Sequence, residues 1–390
     1  MNDRSARLPR LRILSLAFAA TGICLSLSGW MLEPGQFFRS WLFAYLVCLQ
    51  LALGCFALLM VSRLTGGDWG EVLRGSLESG AACLPWMALG FVPIGFGMRE
   101  VFPWARPETM AASAKLMQKA AYLNVPFFLG RAACYFAVWT VLVHFLRKWL
   151  RVERQALAQR DDAMLAKARK RAAALSAPGL ILFGITVHFA AFDWGMSLEP
   201  EWHSTMYGFL IISGEAPAVL SLMILSAAWL DRRDALSALV SPARLYDLGN
   251  LLLAFVLIWA YIQFMQFLII WSGNLPEEIA WYLHRIAGGW KWIALLMFLA
   301  QFASPFLLLL FRSFKSRVGA LAWLALGLMG IHVVNVYWLV APAFHPEGMA
   351  VHWLDAAALA AVGGAWAWKF SGGLARSWPE TAEGDGSAHD

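Results

Sequence analysis

From Phe192 to Thr205 the chain reads FDWGMSLEPEWHST, which sets Asp193, Glu199, Glu201 and His203 beside Trp194 and Trp202, with long apolar runs on both sides. A second acidic turn, NLPEE from Asn274 to Glu278, follows the next long apolar run but one and adds Glu277 and Glu278. Carboxylates and an imidazole at such a boundary can accept protons from a donor that loses them along with its electrons, as a quinol does at each of its hydroxyls. The tryptophans offer flat apolar walls for a ring of that kind, and they serve equally well as an interfacial belt. Helix capping accounts for Ser204 and the Pro276-Glu277-Glu278 run with no chemistry at all. The sequence leaves both readings open.

Further candidates lie inside the apolar runs, where an ionisable side chain costs at least about 2.5 kcal/mol to insert and so marks a function or a buried partner. These are Arg131 and His144, His188 and Asp193, Glu215, Gln263 and Gln266, His332 with Asn335, and His352 with Asp355. Gln263 and Gln266 share a helix face with Trp259 and Ile270. His332 with Asn335 and His352 with Asp355 follow the same spacing, so each pair could line a polar seam or bind neighbouring helices together. His188 and Asp193 point about 140° apart on an ideal helix and converge only if the chain unwinds near Gly195. Glu215 lies near mid-bilayer depth, and Pro217 frees a carbonyl near Ser213, so SGEAP is expected to form a broken, polar patch. A carboxyl there can take up and release a proton, or sit as a neutral acid bonded to a neighbouring helix. Arg131, nearer the outer end, either functions or snorkels to the interface.

The elements that must position these residues follow from composition. The chain has 390 residues, 60% hydrophobic and 14% charged, whereas a soluble domain is about 45–50% apolar and about 25% charged. It reads as one polytopic membrane domain over residues 1–390. Apolar runs near Leu11–Met31, Trp41–Val61, Ala81–Val101, Val125–Leu146, Gly179–Met196, Met206–Leu230, Leu248–Trp271, Trp292–Phe311, Leu321–Val340 and Val351–Phe370 give about ten transmembrane helices. The alternation of a transmembrane barrel is absent, which leaves an all-α bundle. Cys24, Cys48, Cys55, Cys83 and Cys134 lie in apolar runs without CxxC or CxxCH pairs, and the membrane histidines are scattered. Iron–sulfur ligation and haem are therefore not expected in this chain, and no metal site is predicted. The first run follows Arg4, Arg7 and Arg10 but is longer than a signal core, so it is read as an uncleaved helix.

The basic residues set the expected topology rather than a nucleic-acid surface. About 23 of the 31 fall in the leader, alternate links and the tail, which places that side, and both termini, in the cytoplasm of a bacterial inner membrane. Arg39, Arg99, Arg106, Lys115, Lys119, Arg285 and Lys291 are the exceptions, on the side of the two acidic turns, which then face the periplasm. The basic link, residues 147–177, reads as helices extending beyond the bilayer, solvated and close to anionic headgroups. The tail, residues 372–390, reads as disordered.

Taken together, HFAAFDWGMSLEPEWHSTMYGFLIISG, the stretch Asp247–Tyr261 and QFLIIWSGNLPEE resemble the ActF type of NrfD-like (polysulfide-reductase-type) membrane subunit of alternative complex III. The WD…MS…P.WHST pattern marks the NrfD-like superfamily, which includes the ActC paralogue, and NLPEE after a glutamine-bearing helix favours the ActF type. The resemblance implies two four-helix bundles plus two additional helices, in a respiratory complex that oxidises quinol and passes electrons to a periplasmic acceptor. Iron–sulfur clusters and c-type haems are expected in partner subunits: an iron–sulfur subunit, multihaem and monohaem cytochromes c, an ActC-type paralogue and small membrane subunits, with lipid and a terminal oxidase as further associates. The resemblance attributes quinone binding to this kind of subunit but assigns the working quinol site to the ActC type. Matching by motif places His188, Asp193, His203, Glu277 and Glu278 in the family's outer segments. The expected role is proton translocation and scaffolding, along a route through Glu215 with His188, Asp193, Gln263, Gln266, His332 and Arg131. A secondary transporter, with paired broken helices, and a purely structural anchor for redox subunits are the rival readings.

Overall fold

The computed structural model describes residues 4–231 and 242–377, and these are predominantly helical, with short connecting turns and no strand among them. Among the described residues, nine helices are long and apolar enough to cross a membrane: Leu8–Leu32, Pro34–Thr65, Leu73–Phe96, Val125–Gln159, Asp162–Leu198, Tyr207–Trp229, Ala243–Gly273, Pro276–Leu310 and Val318–Ala343. A tenth long helix, Trp353–Ser377, is rich in alanine and glycine. The protein is an all-α multi-pass membrane protein.

The second to fifth helices pack around one another as one group of four, and the sixth to ninth form another. The second helix joins the groups by touching the sixth and ninth, and 94% of its most apolar window is buried. A helix that is apolar on every side belongs in such a position. The fourth, fifth, seventh and eighth helices bury only 22–28% of theirs and leave the rest on the outside of the bundle. The first and tenth helices pair on the outside of the bundle through small residues. A Cβ on Gly22 would stand 2.2 Å from the Ala361 backbone nitrogen, and one on Gly364 would stand 2.6 Å from that of Ala19.

Local chemistry explains the departures from the apolar runs. The run expected at Ala81–Val101 begins earlier, at Leu73, and is interrupted near Ala82–Cys83 and at Phe91, because Pro85 and Pro93 each open a new short helix. The opposite holds at SGEAP: the sixth helix runs unbroken from Tyr207 to Asp231 with Pro217 inside it. One missing N–H removes a single ladder bond, and packing between the second and ninth helices holds the rest in place. The expected break is therefore corrected to a continuous helix. In the eighth helix a tight step at Gly288 and Gly289, with φ of 47° and 104°, separates Pro276–Ile286 from Trp290–Met297. A six-residue π-turn, Phe298–Ala303, follows.

At the basic end the fourth and fifth helices continue through the link at residues 147–177, joined by Arg160 in a left-handed conformation and capped by Asp161, whose carboxylate accepts from the Met164 N–H at 2.9 Å. The link is less solvated than its composition implied. Glu153 is fully buried and accepts from Arg74 at 2.9 Å, Arg169 at 3.2 Å and Arg63 at 3.3 Å. Glu78 pairs in the same way with Arg154 at 3.1 Å and Arg147 at 3.6 Å. Residues 372–377, expected to belong to the disordered tail, instead complete the tenth helix. Residues 378–390, and residues 232–241 of the link after the sixth helix, lie outside the described residues.

Candidate functional site

The two acidic turns meet at one end of the bundle, and arginines clamp them. Asp193 is fully buried at the end of the fifth helix. Its carboxylate receives Arg131 in a forked pair, Nη2 to Oδ1 at 2.8 Å and Nε to Oδ2 at 2.9 Å, and the Tyr135 hydroxyl at 2.8 Å. Arg131 also donates to the Tyr122 carbonyl at 2.9 Å and lies 3.8 Å from that ring's centroid. It faces inward and does not snorkel. A carboxylate whose oxygens are held in this way positions helices; it is poorly placed to relay protons. Burial pushes the Tyr122 phenol up, and the Asp193 carboxylate adds to the effect.

The second clamp joins the turns to each other. Glu199 accepts from Arg285 Nη1 at 2.6 Å and contacts His284 Nδ1 at 2.9 Å. Arg285 is 1% exposed, donates to the carbonyls of Trp281 at 3.0 Å and Leu339 at 2.8 Å, and stacks 3.7 Å from the Trp281 ring centroid. Burial acts to raise the Glu199 carboxyl, but the Arg285 guanidinium and the His284 ring outweigh it and hold the group below the usual carboxylate range. Trp202 stacks on Trp281 with centroids 4.9 Å apart and donates its Nε1 to the Glu278 carbonyl at 3.1 Å. Ser204 donates to Gln266 Oε1 at 3.0 Å, which ties the first turn to the seventh helix.

The remaining turn residues are peripheral. Glu201 is exposed and accepts from Ser113, Glu277 pairs with Lys115 at 3.0 Å on the surface, and His203 is exposed. Glu277 and Glu278 occupy the first turn of Pro276–Ile286, where acidic groups favour the helix dipole. Asn274 serves the turn itself, with a left-handed φ of 48° after the seventh helix. Lys119 donates to the Pro200 carbonyl at 2.6 Å, and burial pushes its ammonium down despite the nearby Glu201. Lys115, Lys119 and Arg285, three of the exceptions to the basic-residue bias, thus hold the acidic turns.

Beneath the clamps lies the buried carboxyl. Glu215 is 2% exposed, and its Oε1 has no hydrogen-bond partner among the described residues. It lines a narrow cavity of about 30 Å³ together with Gln50, Trp194, Gly195, Tyr207 and Ile211, a volume sufficient for water. The FDWG segment and Glu215 therefore share one void. Trp194 is 2% exposed, stacked on Phe136 at 5.7 Å, and belongs to this core rather than to an interfacial belt. Gly195 admits Tyr207, whose hydroxyl would stand 2.6 Å from a Cβ at that position.

His188 and Asp193 are not brought together. The His188 ring faces Phe192 at 4.5 Å and Phe209 at 5.2 Å, against the Gly208 backbone. His332 and Asn335, each 1% exposed, are deep in the core, with His332 Nε2 3.5 Å from the Val47 carbonyl and Asn335 beside Gly214. Gln263 and Gln266 separate in role: Gln266 holds Ser204, and Gln263 lines a lateral cavity of about 500 Å³ with Trp259, Phe264, Met297, Phe302 and Trp338. Asp355 caps the tenth helix, accepting from the His352 N–H at 2.9 Å and Ser40 Oγ at 2.6 Å.

Sequence reasoning missed Arg285, His284, Tyr135, Gln50 and Tyr207. Arg285 left one trace, a basic residue on the side from which basic residues are otherwise depleted. The site thus defines a multi-pass α-helical membrane protein with a clamped acidic cap over a buried carboxyl. Neither the family models nor the curated proteins compared with the chain give a match.

Proposed function

We propose that this chain is an NrfD-like membrane subunit of the ActF type, in a quinol:acceptor oxidoreductase of the alternative complex III kind, and that its part is to conduct protons and to scaffold the complex. The observation that carries this reading is Glu215, a buried carboxyl with an unpartnered oxygen on the same small cavity as Trp194 and Gly195 of the acidic motif. Oxidising a quinol releases two protons and two electrons. Haem and iron–sulfur partners take the electrons, and a carboxyl at membrane depth, linked to the cap by a water-sized void, is suited to pass the protons. In this reading the cap faces the periplasm, both termini are cytoplasmic, and the membrane is the bacterial inner membrane. Asp193 and Arg131 leave the proton route and become its frame.

The transporter reading is less well supported, because it calls for matched discontinuous helices, and the interruptions fall in the second member of one group of four, the third helix, and the third member of the other, the eighth, while the sixth is continuous. The anchor reading draws support from the two clamps, which stiffen the surface a partner would meet. Glu215→Gln in the intact complex separates it from proton conduction. Loss of proton translocation with assembly retained supports conduction, and unchanged translocation leaves scaffolding as the role.

A further inference from the structure

Midway along the bundle a cavity of about 300 Å³ opens between the first, third and tenth helices, walled by Ile23, Trp86, Leu89, Ala365 and Trp368 and bounded toward the basic end by Lys369. Trp86 and Leu89 are 50% and 64% exposed, so the groove faces away from the bundle. Lys369 Nζ stands 4.4 Å from the Trp86 ring centroid. One turn further along the tenth helix, Gly372 leaves room for Arg12 of the first helix, whose Nε would be 3.5 Å from a Cβ there. Arg12 also lies 5.7 Å from the Trp368 ring centroid, and Arg376 donates to the Gly372 carbonyl at 3.0 Å.

Three cations therefore lie along two turns of the tenth helix, Lys369 on the groove itself and Arg12 and Arg376 meeting at Gly372 just beyond it. None of the three has a carboxylate partner among the described residues. The two buried carboxylates at the same end, Glu78 and Glu153, are already taken by Arg63, Arg74, Arg147, Arg154 and Arg169. We propose that this groove binds an anionic glycerophospholipid, with its phosphate held by Arg12, Lys369 and Arg376 and an acyl chain lying along Trp86, Leu89 and Ala365. Guanidinium groups match phosphate oxygens in a fork, and a basic pocket between helices selects an anionic headgroup over one that carries its own ammonium.

The test uses the purified full-length protein in nanodiscs of equimolar phosphatidylglycerol and phosphatidylcholine, followed by detergent extraction and native mass spectrometry of the retained lipid. The wild type retains phosphatidylglycerol preferentially. The triple variant Arg12→Gln, Lys369→Gln, Arg376→Gln loses that preference about tenfold or more. Ala365→Trp, which fills the groove without altering charge, loses the same lipid, and circular dichroism checks that both variants are folded. Equal retention of the two lipids by the wild type, or undiminished phosphatidylglycerol in the folded triple variant, overturns the proposal. Displacement of the lipid by inorganic phosphate at millimolar concentration would show a free-anion site instead and overturn it as well.

Discussion

Replacing Arg285 with glutamine removes the centre of the clamp that joins the two acidic turns. The wild-type side chains are 2% exposed for Arg285 and 14% for Glu199, so the pair is not screened as a surface bridge would be. Taking one partner from a buried pair costs about 3–5 kcal/mol, because the other charge is left without compensation. His284 Nδ1 remains 2.9 Å from Glu199 and offsets part of the loss, which puts the expectation at the low end. A cost of about 3 kcal/mol is roughly a 150-fold shift in the unfolding equilibrium. The assay is equilibrium unfolding in mixed micelles, followed by tryptophan fluorescence, to which Trp281 beneath the guanidinium contributes directly. Glu199→Gln and the double variant complete a cycle, and the double should cost less than the sum of the singles by at least about 1 kcal/mol. A single-variant cost under about 0.5 kcal/mol, the range of ordinary surface changes, or strict additivity, would refute the clamp.

Three further outcomes are expected. Because Glu199 in the fold lies below its ordinary value near 4.5, its contribution to stability is complete above that value and is lost as pH falls through the lower folded value; acid unfolding curves of the wild type should show this limb, and Arg285→Gln should flatten it. Gly195→Ala places a Cβ 2.6 Å from the Tyr207 hydroxyl and 3.1 Å from the Ala191 carbonyl, so it should destabilise by about 1–3 kcal/mol, whereas Gly195→Ala with Tyr207→Phe should recover part of that in the same unfolding assay. Gly22→Val forces the first and tenth helices apart against the Ala361 backbone at 2.2 Å, and should make the first helix accessible to limited proteolysis while leaving the Glu199 clamp intact.

The sequence conveyed the helices well because insertion into hydrocarbon requires long apolar runs, and these are visible without any partner. The place of Glu215 was visible for the same reason, as a charge in the middle of such a run. The clamps were not visible. Arg131 and Asp193 are 62 residues apart, and Glu199 and Arg285 are 86 apart, so only the folded bundle joins them. The basic-residue bias carried a partial signal, since Lys115, Lys119 and Arg285 violate it and each holds an acidic turn. Trp194 was ambiguous because an indole suits both an interface and a core, and its neighbours Phe136, Trp139 and Phe91 come from two other helices. SGEAP illustrates the converse error: a proline was read as a break, although a well-packed helix tolerates the loss of one bond.

In the role proposed above, Glu215 carries protons released by quinol oxidation. The most direct test is the rate of quinol-driven proton release by the intact complex in proteoliposomes, compared between wild type and Glu215→Gln at matched subunit content. The quinol fixes one proton per electron, so the loss falls on the rate: both quinol oxidation and proton release should slow at least about tenfold in the variant, as loss of a positioned acid–base group requires. An unchanged rate would contradict that role.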